Sequence, residues 1–362
     1  MIYASVCSGV EAASLAWIPL GWKAAWFSEI EPFPCAVLKH RFPEVPNLGD
    51  MTKIKVETIE NETGKLQRFK NKSGADVVVP GGVDLLVGGT PCQGFSVAGK
   101  QDGLDDPRSA LCLAYCELLE TMRPRWFVWE NVPGVFSSNG GEDFKTLLKA
   151  FDEVGYSCAW RVLDAQYVRV DGFPRAIPQR RQRVFVVGHF GSDFRCPAEV
   201  LFEPGSVFRT TPPRRNKGSG VARCLTASTG GASGKEQTLV ICNAGGMGGQ
   251  GSNSVPDVLC VHGSQDPVTQ HELANAVGRN NGRENCVVYE NHPQDAFVRR
   301  LLPVECERLM GFPDNWTRIA WKGKPEEECP DAPRYKACGN SMCVNVMRWI
   351  GMRIELTERK LK

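Results

Sequence analysis

Residues 2–30, "IYASVCSGVEAASLAWIPLGWKAAWFSEI", decide how the chain is read. "IYASVCSG" reads as a strand ending in a turn, "VEAASLAWIPLG" as a helix stopped near Pro19 and Gly21, and "KAAWFSEI" as a second strand. The alternation continues. "PFPCAVLKHRF" is a helix, "VDLLVGG" a strand, "SALCLAYCELLETM" a helix, "RWFVWENV" a strand and "DFKTLLKAFDEVGY" a helix. "AWRVLDAQ" and "RVFVVGHF" are two further strands. Strands alternating with helices predict an α/β fold, an open, doubly wound, mostly parallel Rossmann-like sheet. Ligands of such sheets bind outside the carboxyl ends of the strands.

The pattern breaks after Phe190. From there to Phe297 the chain is rich in Gly, Asn, Ser and Thr, with only short apolar runs such as "TLVIC", "DVLCV" and "CVVY", and "NAGGMGGQGSNS" is a loop. Helical periodicity returns in "PVECERLMGF" and in the last twenty residues. There Met342, Val346, Ile350 and Ile354 form an apolar stripe at four-residue spacing, expected to pack back onto the first domain. Three segments are therefore expected: residues 1–190, the domain of the doubly wound sheet; residues 191–298, a smaller, irregular, β-rich domain; and residues 299–362, a return to the first.

With 362 residues, 42% hydrophobic and 23% charged, the chain has the composition of a folded protein of two or three domains. The N-terminus has no basic region followed by an apolar run, and no stretch approaches membrane-spanning length, so neither a signal peptide nor a membrane partner is expected. The fifteen cysteines are scattered, odd in number and free of Cys-x-x-Cys pairs, which predicts free thiols in a cytoplasmic compartment and no metal site. Cys112 and Cys116 share one helix face and read as core packing.

"VCSGVEAAS" follows the first strand and opens the first helix, where backbone amides can hold an anionic group. Only Gly9 is present, so this is not the Gly-x-Gly-x-x-Gly dinucleotide fingerprint. Glu29 ends the second strand, where this fold places a carboxylate on ribose hydroxyls, and Asp50 in "NLGDMT" is a candidate for the next strand end. Together they imply an adenosine-containing cofactor without saying which.

"DLLVGGTPCQGFSVAGKQDG", residues 84–103, mounts one cysteine behind a proline where an apolar strand ends. A core cysteine needs no such mounting and a nucleophile does, the thiolate being the attacking form. Glycines follow it, with Lys100 and Arg108 on the same loop, so the thiol is placed to meet an anionic substrate. Glu130 and Asn131 end the next strand, and Arg180, Arg181 and Arg183 precede another.

"GGTPCQGFS", "ENV", "QRRQRVFVVG", "RRLLPVECERLMGFP" and "YKACGNSM" occur in an order and spacing that resemble the DNA cytosine carbon-5 methyltransferases. The resemblance spans about residues 5–189 and 299–354, and the start almost at the first motif is similar to solitary phage-borne members. It implies the S-adenosylmethionine-dependent methyltransferase fold, in which residues 1–190 would be the catalytic and cofactor-binding domain and residues 191–298 the target-recognition domain, with Cys92, preceded by Pro91, adding to carbon 6 of a flipped-out cytosine. Glu130 would bind ring nitrogen 3 and the exocyclic amine, with Asn131 beside it. Arg183 would bind the ring carbonyl, supported by Arg181. The cofactor S-adenosylmethionine would be held by Cys7, Ser8, Gly9, Glu29, Ile30 and Asp50, and by Asn340 and Ser341 from the far end of the chain. Ser96, Lys100 and Arg108 would meet the target strand. Two departures stand out: "CSGVEAA" has fewer glycines than the family's first motif, and "YVRVDGFPRAIPQ" is longer than its usual counterpart.

Double-stranded DNA is the expected partner, with no obligate protein partner evident. Residues 205–235 hold six basic residues and no acid, a net of +6, whereas residues 236–296 hold seven acids and two arginines, a net of −5. The basic block contains "VARCLTASTGGASGK", similar to a recognition loop of some family members. Arg214, Arg215 and Lys217 would neutralise phosphates, while Leu225, Thr226, Gly230 and Gly231 approach base edges. Three rivals remain open at this point. A nicotinamide-dependent oxidoreductase explains Glu29 but not Cys92, Glu130 and Arg183 together. An RNA cytosine methyltransferase can share the motifs, and a catalytically dead DNA-binding module would not need all three residues intact. The recognition sequence, a restriction partner and the oligomeric state are not written in these residues.

Overall fold

All of β1 (Ile2–Val6) except its first residue is buried, as an interior strand of a sheet covered on both faces must be. It pairs in parallel with β2 (Lys23–Ser28) on one side and with β6 (Leu85–Gly88) on the other. β6 pairs in parallel with β7 (Trp126–Asn131). The direction then reverses: β10 (Gln182–Phe190) runs antiparallel to β7 and to β8 (Tyr156–Asp164). The result is a six-stranded sheet of order β2-β1-β6-β7-β10-β8, mainly parallel as expected. This computed structural model describes residues 1–61, 64–70, 76–90, 107–171, 176–191, 193, 195–202, 259–261, 269–271, 274–275, 286–289 and 297–361.

Each face of the sheet has its own core. One joins Trp17 of α1 (Ala12–Trp17), Phe33 of α2 (Pro32–Arg41), Val200 of α5 (Arg195–Leu201), Met310 of α6 (Pro303–Met310), Ala337 of α7 (Asp331–Asn340) and Ile350 of α8 (Val344–Leu361). The other joins Tyr115 of α3 (Pro107–Met122) to Leu147 and Phe151 of α4 (Glu142–Glu153). Cys112 and Cys116 are buried in this second core. The helix expected after β1 ends at Trp17 and tightens into a 3-10 turn over Ile18–Leu20, closed by Gly21 at φ 76°.

The end of the chain packs beside its beginning. Trp17 donates its indole N–H to the Met347 carbonyl at 2.8 Å, and Trp126 donates to Glu358 Oε1 at 2.7 Å. Val346, Ile350 and Ile354 of the expected stripe are buried in α8, joined by Met347 and Gly351. Met342 precedes the helix and is only partly buried, so the stripe is one turn shorter than its spacing suggests.

One element was not expected at all. β3 (Lys55–Asn61), β4 (Gly64–Lys70) and β5 (Asp76–Pro80) form an antiparallel three-stranded sheet. Phe69 packs on Trp26 at 5.1 Å between ring centroids, and the buried Gln67 donates to the Met122 carbonyl at 2.6 Å and accepts from the Val83 amide at 2.9 Å. Between residues 259 and 300 the described strands are short: β11 (Leu259–Val261), β12 (Thr269–His271), β14 (Cys286–Tyr289) and β15 (Phe297–Arg300) pair antiparallel, and β13 (Ala274–Asn275) joins β9 (Gln179–Arg180). No helix among the described residues is long and apolar enough to cross a membrane.

Gly188 is the register partner of Phe127 across the β10–β7 pair, and a β-carbon built on it would fall inside the Phe127 ring. A strand glycine of this kind marks a close approach that no larger residue tolerates. Gly188→Ala should therefore destabilise the fold by about 3 kcal/mol, read as a lower urea midpoint. Phe127→Leu should be milder alone and should recover part of the loss when combined with Gly188→Ala.

Candidate active site

The turn after β1 holds three left-handed residues within five: Cys7 (φ 50°), Gly9 (φ 57°) and Glu11 (φ 64°). Two of them carry a β-carbon, which costs roughly 1–2 kcal/mol apiece in this region. Hydrogen bonds hold the turn in place. The Ser8 amide donates to the Ser28 carbonyl at 3.2 Å, the Ser28 amide to Ser8 Oγ at 3.2 Å, and the Gly9 amide to Glu29 Oε2 at 2.7 Å. Glu29 Oε1 accepts the amides of Ile30 and Glu31, both at 2.8 Å. The carboxylate at the end of β2 thus ties two strand ends together, and Oε2, with a single amide on it, still has a lone pair for a hydroxyl.

Glu11 caps α1. Its Oε1 accepts the Ser14 amide at 3.0 Å and Ser14 Oγ at 3.1 Å, and its Oε2 accepts Ser5 Oγ at 2.9 Å. Burial pushes its carboxyl up to about 7, against these hydrogen bonds, and Glu29 adds to the rise. Burial likewise pushes the Cys7 thiol up to about 12, which removes it as a nucleophile.

The turn is one wall of a narrow, open cleft. Asn340, Ser341 and Met342 form a second wall, with Gly89 and Glu130 at the far end. Glu130 meets Arg183 at 3.1 Å between Oε1 and Nε, both side chains largely buried. Burial raises the Glu130 carboxyl above the usual carboxylate range, against the pull of Arg183 and Arg181. Arg181 is buried and donates from Nη2 to the carbonyls of Gly339 at 3.1 Å and Ser341 at 2.7 Å. Burial and the neighbouring Arg183 bring its guanidinium down to about 10, still charged at neutral pH. Two guanidinium groups thus face one carboxylate, and this end of the cleft carries excess positive charge.

Thr90 ends the described part of the strand that leads to Cys92. The Asn131 side chain donates to its carbonyl at 2.9 Å, the Trp129 indole donates to its Oγ1 at 2.9 Å, and Cys112 Sγ lies 3.3 Å from the same hydroxyl. A β-carbon on Gly89 would stand 3.0 Å from both the backbone oxygen and Oε2 of Glu130, so this close approach needs glycine.

Of the residues singled out from sequence, Cys7, Ser8, Gly9, Glu130, Asn340 and Ser341 line one cleft, and Glu29, Arg181 and Arg183 bond to its walls. Ile30 is 67% exposed beside Glu29. Asp50 is engaged locally: it caps the 3-10 turn Met51–Lys53, accepts Thr52 Oγ1 at 2.7 Å and pairs with Lys53. Arg108 falls in the first turn of α3, its side chain outside the described set. Pro91, Cys92, Ser96, Lys100, Arg214, Arg215, Lys217, Leu225, Thr226, Gly230 and Gly231 lie outside the described residues. Among those described, no cluster of potential metal ligands forms. Sequence reasoning passed over Glu11, Gly89, Thr90 and Met342. Only Glu11 carried a signal, standing where the first motif commonly has glycine.

Residues 1–356 match the profile of the C-5 cytosine-specific DNA methylases. A protein of Escherichia phage P1 named a DNA N-6-adenine-methyltransferase is 34% identical over 506 aligned positions, covering 100% of this chain and 63% of its own length. The orphan methyltransferase M.SPRI of Bacillus phage SPR is 35% identical over 51% of this chain and 36% of its own. The chain therefore spans between about a third and just under two thirds of these relatives. Type II methyltransferase M2.BsuMI of Bacillus subtilis is 29% identical over 96% of this chain and 73% of its own. The crystal structure of S. pombe Dnmt2 methyltransferase superposes with a TM-score of 0.57 at 15% identity, covering 98% of this chain and 99% of the other, a likeness of fold.

Two outcomes test this geometry. Arg181→Lys removes the fork that reaches two carbonyls from one nitrogen and should cost about 2–3 kcal/mol, seen as a lower urea midpoint. Glu11 binds its proton more tightly folded (about 7) than at its ordinary 4.5. Its contribution to stability is thus full below the ordinary value and lost as pH rises through the folded one. Glu11→Gln should flatten the fall in urea midpoint between about pH 5 and pH 8; an unchanged slope would show that the carboxyl is not held this way.

Proposed function

Because the chain belongs to the C-5 cytosine-specific DNA methylase family, we propose that it methylates carbon 5 of cytosine in a specific sequence of duplex DNA, with S-adenosylmethionine as donor. The observation that carries this reading is the Glu130–Arg183 pair, 3.1 Å apart, at the end of the same cleft that the Cys7–Gly9 turn opens. Carbon 5 of cytosine is a poor nucleophile, and the pair meets the two edges of the ring that must be polarised to change that.

A base inside a duplex is unreachable, so it is flipped into the cleft. Glu130, its carboxyl raised by burial, hydrogen bonds ring nitrogen 3 and the exocyclic amine. Arg183 donates to the ring carbonyl oxygen, and Arg181 braces it while fixing the Gly339–Ser341 wall. Charge developing on the ring then meets partners already in place. Cys92 follows Thr90 by two residues, and Thr90 is held through its carbonyl and hydroxyl by Asn131 and Trp129. Its thiolate adds to carbon 6, carbon 5 becomes an enamine carbon, and loss of the carbon-5 proton after transfer expels the thiolate. Bound S-adenosylmethionine supplies an electrophilic methyl group. The residues present fit it: a cation with a ribose diol suits a cleft walled by Glu11 and flanked by Glu29. Residues 1–190 and 299–362 make up the catalytic body in this reading, and residues 191–298 read the DNA, with Arg214, Arg215 and Lys217 on phosphates and residues 225–231 on bases.

The name of the phage P1 relative favours one other reading, transfer to the N6 amine of adenine. That nitrogen is nucleophilic enough to be methylated directly, which leaves Cys92 without a task. Mass spectrometry of nucleosides from treated duplex DNA decides between 5-methylcytosine and N6-methyladenine, and parallel reactions with tRNA test the substrate class. Cys92→Ala should abolish methyl transfer while keeping affinity for S-adenosylhomocysteine. Glu130→Gln should lower the rate about 10²–10³-fold. The wild-type protein should form a denaturant-resistant complex with DNA containing 5-fluorocytosine, whose fluorine cannot leave as a proton does. Methylation of ordinary DNA without such a complex would count against the Cys92 adduct.

A further inference from the structure

Beyond walling the cleft, Glu11 takes no part in the steps above, and its setting is unusual. It occupies a left-handed backbone position at φ 64°, ψ 65° although it carries a β-carbon. It is 1% exposed, yet it lines the cleft together with Gly89, Glu130 and Ser341. Its three direct partners are the Ser5 hydroxyl, the Ser14 hydroxyl and the Ser14 amide, and Tyr3 donates to Ser14 Oγ at 2.5 Å. Every hydrogen bond in this relay points toward the carboxylate, and every donor is neutral.

The other acids of the cleft are matched differently. Glu130 faces Arg183 and Arg181. Glu29 is taken up by three backbone amides. Among the described residues no lysine or arginine pairs with Glu11. A buried carboxylate without a cation is costly and takes up a proton unless a positive charge arrives.

We propose that Glu11 is the counter-charge for the sulfonium of S-adenosylmethionine, so that the cleft distinguishes the charged methyl donor from its uncharged product. The proposal rests on the reading of this cleft as the cofactor site. Before transfer the sulfur is positive and Glu11 is ionised opposite it. The carbon–sulfur bond to the methyl group breaks with its electron pair left on sulfur, the methyl carbon bonds to carbon 5 of cytosine, and the sulfur becomes a neutral thioether. The carboxylate loses its partner, takes a proton from solvent, and no longer favours what remains in the cleft. Product release is thereby coupled to the loss of charge.

The groups facing Glu11 leave it as the one that senses this change. Tyr3 and Ser5 come from β1 and Ser14 from α1. Burial holds the Tyr3 hydroxyl and the Cys7 thiol well above neutrality, so both stay uncharged. Glu29 stands at the end of β2, Glu130 at the end of β7 with Arg183 on β10 and Arg181 just before it, and residues 340–342 bring no charge. Folding alone holds the proton on Glu11 up to about pH 7, so a cationic ligand must displace it at lower pH.

The test is calorimetric titration of the full chain between about pH 6 and pH 8.5 with three ligands. S-adenosylmethionine and sinefungin carry a positive charge at the reacting position, and S-adenosylhomocysteine does not. Affinity for the two cations should rise with pH, by up to about tenfold per unit below the titration of Glu11, and each should release a proton, counted in buffers of different ionisation enthalpy. The curve for S-adenosylhomocysteine should be flat. Glu11→Gln should flatten the cation curves and weaken both cations about tenfold near pH 8 while sparing S-adenosylhomocysteine. Should that variant fail to fold, the contrast among ligands on the wild-type protein still decides. Equal pH slopes for all three ligands would overturn the proposal, because Glu11 would then face the methionine ammonium that they share. Three flat curves with binding intact would also overturn it. Absence of binding by any of the three would sink the cofactor reading itself, a distinct result.

Discussion

The register between β10 and β7 is the constraint on which the candidate active site depends. Residues opposite each other in an antiparallel pair share a face, and a slip of one residue sends every side chain to the other face. Phe185 lies opposite Glu130 and Gly188 opposite Phe127. The Phe127 ring lies over Gly188, where no other side chain would fit. With that contact set, Arg183 stands two residues from Phe185 on the same face and reaches Glu130. Arg181, two further on, reaches back to the 339–341 wall. In any other register the two guanidinium groups would leave Glu130 buried without a partner, at a cost that the fold could not sustain.

A second closure brings the ends of the chain together. The indole of Trp17 donates to Met347, that of Trp126 to Glu358, and that of Trp316 to the Val10 carbonyl at 2.9 Å. Each contact joins parts of the chain far apart in sequence, and the third lands within the strained turn. Left-handed residues that carry a β-carbon persist only where their surroundings over-determine them. The turn at residues 7–11 meets that condition from three sides: Glu29 bonds Gly9, Ser14 bonds Glu11, and Trp316 bonds Val10. The strain is held by the return of the chain, which is why Asn340 and Ser341 can line a cleft begun by residue 5.

Much of this was legible in the amino-acid order. The central strands are apolar runs because both faces are buried, and period-based reading finds such runs easily when helices separate them. Glu130 was legible because strand ends in this fold point at one crevice, whereas Arg183 was one of three neighbouring arginines until the family resemblance singled it out. The β3–β5 sheet was not. "KVETIEN" and "GKLQRFK" alternate charged with apolar residues, but only Gln67 and Phe69 of β4 are buried, and neither run is long enough to stand out from solvated loop. Their order comes from contacts with Trp26, Met122 and Val83, which local sequence does not reveal. Glu11 was missed for a related reason. A glutamate beside a glycine turn is usually solvated, and its burial depends on serines six residues before and three after. Met342, counted in the helix stripe, lies before the helix because Ser341 is extended, with ψ at 156°.

Three glutamates border one cleft, and their surroundings separate them. Amides hold Glu29, guanidinium groups face Glu130, and hydroxyls with one amide hold Glu11. Amides and hydroxyls stabilise a carboxylate without cancelling its charge, whereas a guanidinium cancels it. The cleft is therefore polarised along its length. Its Glu11 end holds carboxyl groups with no cation beside them, and its Glu130 end, with two arginines against one acid, is positive. A cation is drawn to the first end and an electron-rich carbonyl or phosphate to the second. The β10–β7 register sets the arginine end of the cleft, and the strained turn between β1 and α1 sets the Glu11 end, so two separate constraints hold the arrangement.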